Sequence, residues 1–219
     1  MESAERFAQL VNRPAAAGHL DLLAALIGSS FEPEHDPGAV LIELDRLAAG
    51  CDSSFESIMH TLFRSGRLRG NRSDYGDPRN SYLHQVLDRG LGIPITLSVC
   101  AIEVGRRLGV EVRGIGLPGH FMVGCGDVYG DPFSGAILSA HEVETVWRHF
   151  TGLRDPFGPH LLAPTHTRSI VLRMLNNLKH TLVALDDPGP LRVLAGLRSA
   201  FPELAVESKE RARWMRHWN

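Results

Sequence analysis

The chain has 219 residues, 43% of them apolar and 22% charged, with a formal charge of -2. That is an ordinary globular balance in a chain long enough to bury a core without a disulfide or a metal. It gives neither nucleic acid nor an anionic membrane a general electrostatic attraction.

Cys51, Cys100 and Cys125 show no Cys-x-x-Cys spacing. Neither a disulfide framework nor a zinc site is expected, and a reducing, cytoplasmic compartment is. Met1–Leu10 carries Glu2, Glu5 and Arg6, unlike a signal peptide. No apolar run approaches the length of a membrane span, and no cofactor signature stands out.

Residues 1–30 read as helix, with Phe7, Leu10 and Val11 on one apolar face and Leu20, Leu22, Leu23, Leu26 and Ile27 on another. Phe31–Pro37 is a loop with two prolines and several acids. Leu41, Leu44 and Leu47 mark a third helix ending near Gly50. Phe55, Ile58, Met59, Leu62 and Phe63 mark a fourth, with Asp52 or Ser53 as its cap. These helices carry no chemical signature of their own. The stretch 66–79 is a polar, Gly-rich loop holding Tyr75. Asn80 and Ser81 then stand where they could cap a helix through Leu83, Val86 and Leu87, stopped by Gly90. Asn80 could instead line a cleft.

The next helix starts at Pro94, whose missing N–H suits a first turn. Leu97, Ala101, Val104 and Leu108 form its apolar face, Arg106 and Arg107 suit the negative end of its dipole, and Gly109 stops it. Val110–Gly116 and Phe121–Gly124 alternate like strands. His120 stands just before the second of them, and Asp131 follows a hairpin turn over 124–130. Glu142, Val143, Val146, Trp147 and Phe150 fit an amphipathic helix, and 153–167 reads as a long connection. Two further helices, Ser169–Leu185 and Leu191–Phe201, flank the turn 186–190. The tail 207–219 reads as a frayed or docked terminal helix. The expected division is 1–65 N-terminal helices, 66–165 core and 166–219 a helical segment.

Several of these runs resemble a bacterial transglutaminase-like family of the SirB type. They are Gly70-Asn71, Tyr75, Asn80-Ser81-Tyr82-Leu83, Gly92-Ile93-Pro94-Ile95-Thr96-Leu97-Ser98, Pro118-Gly119-His120-Phe121 and Asp131-Pro132-Phe133. The similarity spans residues 20–205 in order. It implies an α+β, papain-like core in which a central helix packs on an antiparallel sheet, with helices before it. It also implies a C-terminal tetratricopeptide-like hairpin, whose start Arg173–Lys179 resembles. One such repeat cannot bury its own face and must lean on the core or a partner.

In such folds a cysteine at the helix N-terminus is the nucleophile, a histidine its base and an acid the orienting group. The resemblance places His120 and Asp131 in the last two roles. The cysteine position falls on or near Pro94, which cannot attack. Thr96 and Ser98 have hydroxyls nearby, and Cys100, six residues on from position 94, points about 240° round the helix from it. Two functions are therefore carried forward. One is a regulatory or protein-binding module with a protein partner. The other is a hydrolase or acyl transferase using His120 and Asp131 with Thr96, Ser98, Cys100 or an activated water. Tyr75, Asn80 and Ser98 are the candidate binding residues. Gly114-Ile115-Gly116-Leu117-Pro118-Gly119 matches a dinucleotide-binding pattern, but a strand rather than a helix follows it. His141, His149, His160, His166 and His180 lack ligand spacing, so no metal is expected from them.

Overall fold

The computed structural model describes residues 2–13 and 18–204. The tail 207–219 lies outside the described residues. The fold is α+β. Its helices are α1 (Glu2–Val11), α2 (Leu20–Phe31), α3 (Pro37–Ala49), α4 (Phe55–Met59) and α5 (Leu83–Arg89), then α6 (Pro94–Leu108), α7 (Ala140–Thr151), α8 (Thr167–Leu185) and α9 (Pro188–Arg198). A π turn, His60–Arg64, extends α4, and a 3-10 turn, Pro78–Ser81, precedes α5. None of the described helices is long and apolar enough to cross a membrane.

Two short strands, β1 (Arg69–Gly70) and β2 (Leu91–Gly92), pair in parallel. β3 (Arg113–Ile115), β4 (Met122–Cys125), β5 (Val128–Asp131) and β6 (Ala136–Leu138) form an antiparallel meander in chain order. The stretch 124–130, expected as a hairpin turn, lies in the β4–β5 hairpin, most of it in the strands themselves. Its turn is confined to the two residues between the strands, where Gly126 has φ 57°. Tyr129 pairs with Gly124 across it.

Helix ends follow local chemistry. Pro37 opens α3 behind Asp36, which accepts from the Gly38 N–H at 3.0 Å. The cap of α4 is Ser54, not Asp52 or Ser53, accepting from the Ser57 N–H at 3.1 Å. The Ser53 and Asp52 positions lie too early for a side-chain oxygen to reach the N–H groups of this first turn. Ser139 and Glu142 close a reciprocal capping box on α7. Gly90 and Gly109 end α5 and α6 in the left-handed region, at φ 69° and 71°.

The meander lies between two helical layers. β4 alternates, so Val123 enters the core under α6 while Met122 joins Ile115, Leu117, Tyr129, Val143 and Trp147 beneath α7. The main core is continuous from Phe7 in α1, through α2–α6, to Leu194 and Leu197 in α9 and Phe201 just after it. It therefore crosses both expected boundaries, at 65/66 and 165/166. The α8–α9 hairpin leans on α1 and α2. Arg106 and Arg107 do more than suit a helix end. Both reach Asp21 of α2 at 2.9 Å, Arg107 also reaches Asp45 of α3 at 2.6 Å, and Arg106 reaches Glu103 at 2.7 Å. Three helices are thereby tied at the C-terminal end of α6.

Candidate functional site

Two polar assemblies surround the start of α6. The first is centred on Asp131, the last residue of β5. The Nε2 of His120, two residues before β4, lies 3.0 Å from Asp131 Oδ1. That oxygen also accepts from the Phe133 N–H at 3.1 Å, and Oδ2 accepts from Ser134 Oγ at 2.6 Å. The hairpin places residues eleven apart in sequence against one another. Burial pushes the Asp131 carboxyl up, but the bond and charge of His120, with the Ser134 and Phe133 donors, outweigh it and hold the group below its ordinary range. With the Asp131 carboxylate as acceptor, Nε2 of His120 donates, which fixes the orientation of the ring.

His120 is also stacked on Phe150 of α7, with centroids 4.6 Å apart and planes within 9°. Its backbone carbonyl and that of Leu117 accept from Arg173 Nη2 at 2.7 and 2.6 Å. Arg173 lies over the Phe121 ring at 5.3 Å, so α8 clamps the turn that presents His120.

The second assembly holds the loop 71–80. Asn80 is buried and donates through Nδ2 to the carbonyls of Asp74 and Tyr75 at 2.8 and 3.3 Å. Its Oδ1 accepts from Asn71 Nδ2 at 3.0 Å. It does not cap α5, whose N-cap is Tyr82 with no side-chain bond. Thr96 Oγ1 donates to the Asn80 carbonyl at 2.8 Å, approaches the Ile93 carbonyl at 3.1 Å and accepts from the Ile93 N–H at 3.1 Å. The Thr96 hydroxyl thus closes the N-terminus of α6. Pro94 stands at the first helical position.

The structure joins His120 to Asp131 and Asn80 to Thr96. Among the described residues no hydrogen bond links Thr96 or Ser98 to His120. The two assemblies meet through Tyr75, whose ring stands edge-on to Phe133 at 6.0 Å and is 54% exposed. Ser98 is fully buried in α6 and its hydroxyl has no partner among the described residues. Cys100 is fully buried, and burial pushes its thiol up to about 12. All three cysteines are free. A thiol reagent applied to the folded protein is therefore expected to label Cys51 and Cys125 and to spare Cys100 until unfolding. Mass-mapped labelling against time checks this, and early modification at Cys100 would contradict it.

Sequence reasoning missed Phe150, Arg173 and Ser134. Ser134, three residues after Asp131, carried a local turn signal. Phe150 and Arg173 are brought in by α7 and α8, and nothing local marks them.

The model of the transglutaminase-like superfamily matches residues 15–176. A UPF0162 protein of Xylella fastidiosa strain Temecula1 is 42% identical over 134 residues, covering 58% of this chain and 47% of that protein. A UPF0162 protein of Vibrio cholerae is 28% identical over 162 residues, covering 67% and 58%. F-box only protein 21 of Mus musculus is 40% identical over 68 residues, covering 31% of this chain and 11% of that protein. The chain spans about half the length of the first of these relatives. No solved structure matches.

Proposed function

The chain belongs to the transglutaminase-like superfamily, and from that premise we propose that it is a protein-binding, regulatory module. On this reading it keeps the base and orienting acid of an acyl-transfer site without an activated nucleophile. The observation that carries the reading is the start of α6. Pro94 occupies the first helical position, and the Thr96 hydroxyl is spent on Ile93 and Asn80. Cys100 lacks the features that activate a thiol, which are a helix N-terminus and partial exposure. Around His120 the exposed rings of Phe150 and Tyr75, and Phe133 with the Arg72 guanidinium 5.0 Å from its centroid, form an aromatic and cationic surface. Such side chains are enriched where proteins meet. The α8–α9 hairpin, read as tetratricopeptide-like, extends that surface on this view.

A hydrolase or acyl transferase is the second reading, and one observation favours it. Asp131 engages Nε2 of His120 while Nδ1 makes no hydrogen bond among the described residues, which is the arrangement a general base needs. Incorporation of a fluorescent amine into casein and hydrolysis of an activated ester separate the two. The expected result is background rates for the wild type and for His120→Ala alike. Turnover that disappears in His120→Ala but survives thiol alkylation would replace the binding reading with water activated by the His120–Asp131 pair.

A further inference from the structure

A separate group of side chains lies where the end of α2 meets α5. Glu32 and His35 sit three residues apart in a turn closed by the His35 N–H on the Glu32 carbonyl at 3.1 Å. That turn sets both side chains toward His84 in the first turn of α5. The Nε2 of His84 is 2.7 Å from Glu32 Oε2, and the rings of His35 and His84 have centroids 3.8 Å apart. One ligand atom from each of the three residues falls within a 4.8 Å span. His84 is buried at 4% exposure, and its Nδ1 has no hydrogen-bond partner among the described residues.

We propose that Glu32, His35 and His84 form a binding site for a divalent cation of the zinc class. Two imidazoles and one carboxylate are ligands of the borderline kind that zinc accepts. Bonds of about 2.0–2.1 Å in a tetrahedron set ligand atoms roughly 3.3 Å apart, so the 2.7 Å His84–Glu32 pair would open slightly and the widest separations within the 4.8 Å span would close. A cation would replace the proton now shared between His84 and Glu32. Gln85 Nε2 donates to Glu32 Oε2 at 2.8 Å and orients the carboxylate from outside the cluster. Arg79, whose charge acts on Glu32, is itself engaged by Asp77 through Nε and Nη2. Three protein ligands leave a fourth position for water or for a donor from another molecule. The site owes nothing to His120, so its test is independent of the function proposed above.

The test uses the full chain, stripped with a chelator and titrated with Zn2+ against a chromophoric competitor. The wild type is expected to take up one Zn2+ per chain and to melt at a higher temperature with zinc than without. His84→Ala removes a buried side chain and could misfold, so the deciding variants are His35→Ala and Glu32→Gln. Each is expected to weaken binding by at least about tenfold, the lower range for disturbing a metal site, and to lose the zinc-dependent melting shift. Neither variant alters a cysteine. Failure of the wild type to bind Zn2+, or binding unchanged in both variants, would overturn the proposal.

Discussion

Asp131→Ala is expected to lose roughly 3–5 kcal/mol of stability, the range for removing one partner of a buried ionic pair. At about 2–4 °C per kcal/mol for a chain of this size, the melting temperature falls by about 6–20 °C. The mechanism is donor orphaning. The His120 ring, the Phe133 N–H and the Ser134 hydroxyl all direct their protons at this carboxylate, and among the described residues none has another acceptor. His120→Ala leaves Asp131 with its other two donors and is expected to cost less, about 1–3 kcal/mol. The pH dependence has a definite sign. The folded-state pKa of Asp131 is depressed below its ordinary 3.8, so its contribution is present above that value. It is lost as pH falls through the folded pKa. The gap between wild type and Asp131→Ala should therefore be full near neutrality and narrow in acid, as denaturant melts across pH would reveal. A melting shift under about 2 °C, or a gap that widens in acid, would contradict this account.

Phe201→Ala should cost about as much, roughly 3–5 kcal/mol, and should do so in a single cooperative transition. Phe201 follows α9 and is fully enclosed. Its ring lies 6.4 Å from that of Phe7 in α1, with the Arg168 guanidinium 4.4 Å from its centroid. Asn12 reinforces the contact by donating to the Ala200 carbonyl at 3.2 Å. Because the hairpin and the N-terminal helices share this core, the substitution should lower the melting temperature of the whole molecule. Calorimetry would show two separated transitions if residues 166–204 formed a unit of their own, with only one of them moved by Phe201→Ala.

The helices were legible because their signals are local. Apolar residues at three- and four-residue spacing, Pro94 at a first turn and Gly109 at a stop depend only on neighbours along the chain, and α6 forms between those two residues. The β4–β5 hairpin was half legible. Gly124 to Gly130 is rich in glycine and polar residues, which reads as turn, yet cross-strand pairing extends Val128–Asp131 into β5. Pairing is a property of two segments, and no window on one of them contains it.

The site divides along the same line. By itself the sequence determined that His120 stands at the entry of a strand segment, that proline occupies the start of the central helix, and that Cys100 lies deeper along it; Asp131, expected at the entry of the next segment, is instead the last residue of β5. Only the tertiary structure decided that the Thr96 hydroxyl is taken up by the carbonyl of Asn80, sixteen residues away, and that Phe150 covers His120. It alone decided that Arg173 holds the turn before β4 and that Glu32 meets His84 across fifty-two residues, with His35 beside them. The physical reason is one of range. Caps and helix faces are set by backbone geometry over a few residues, whereas the partner of a buried polar group is whatever acceptor or ring the packed core delivers to it.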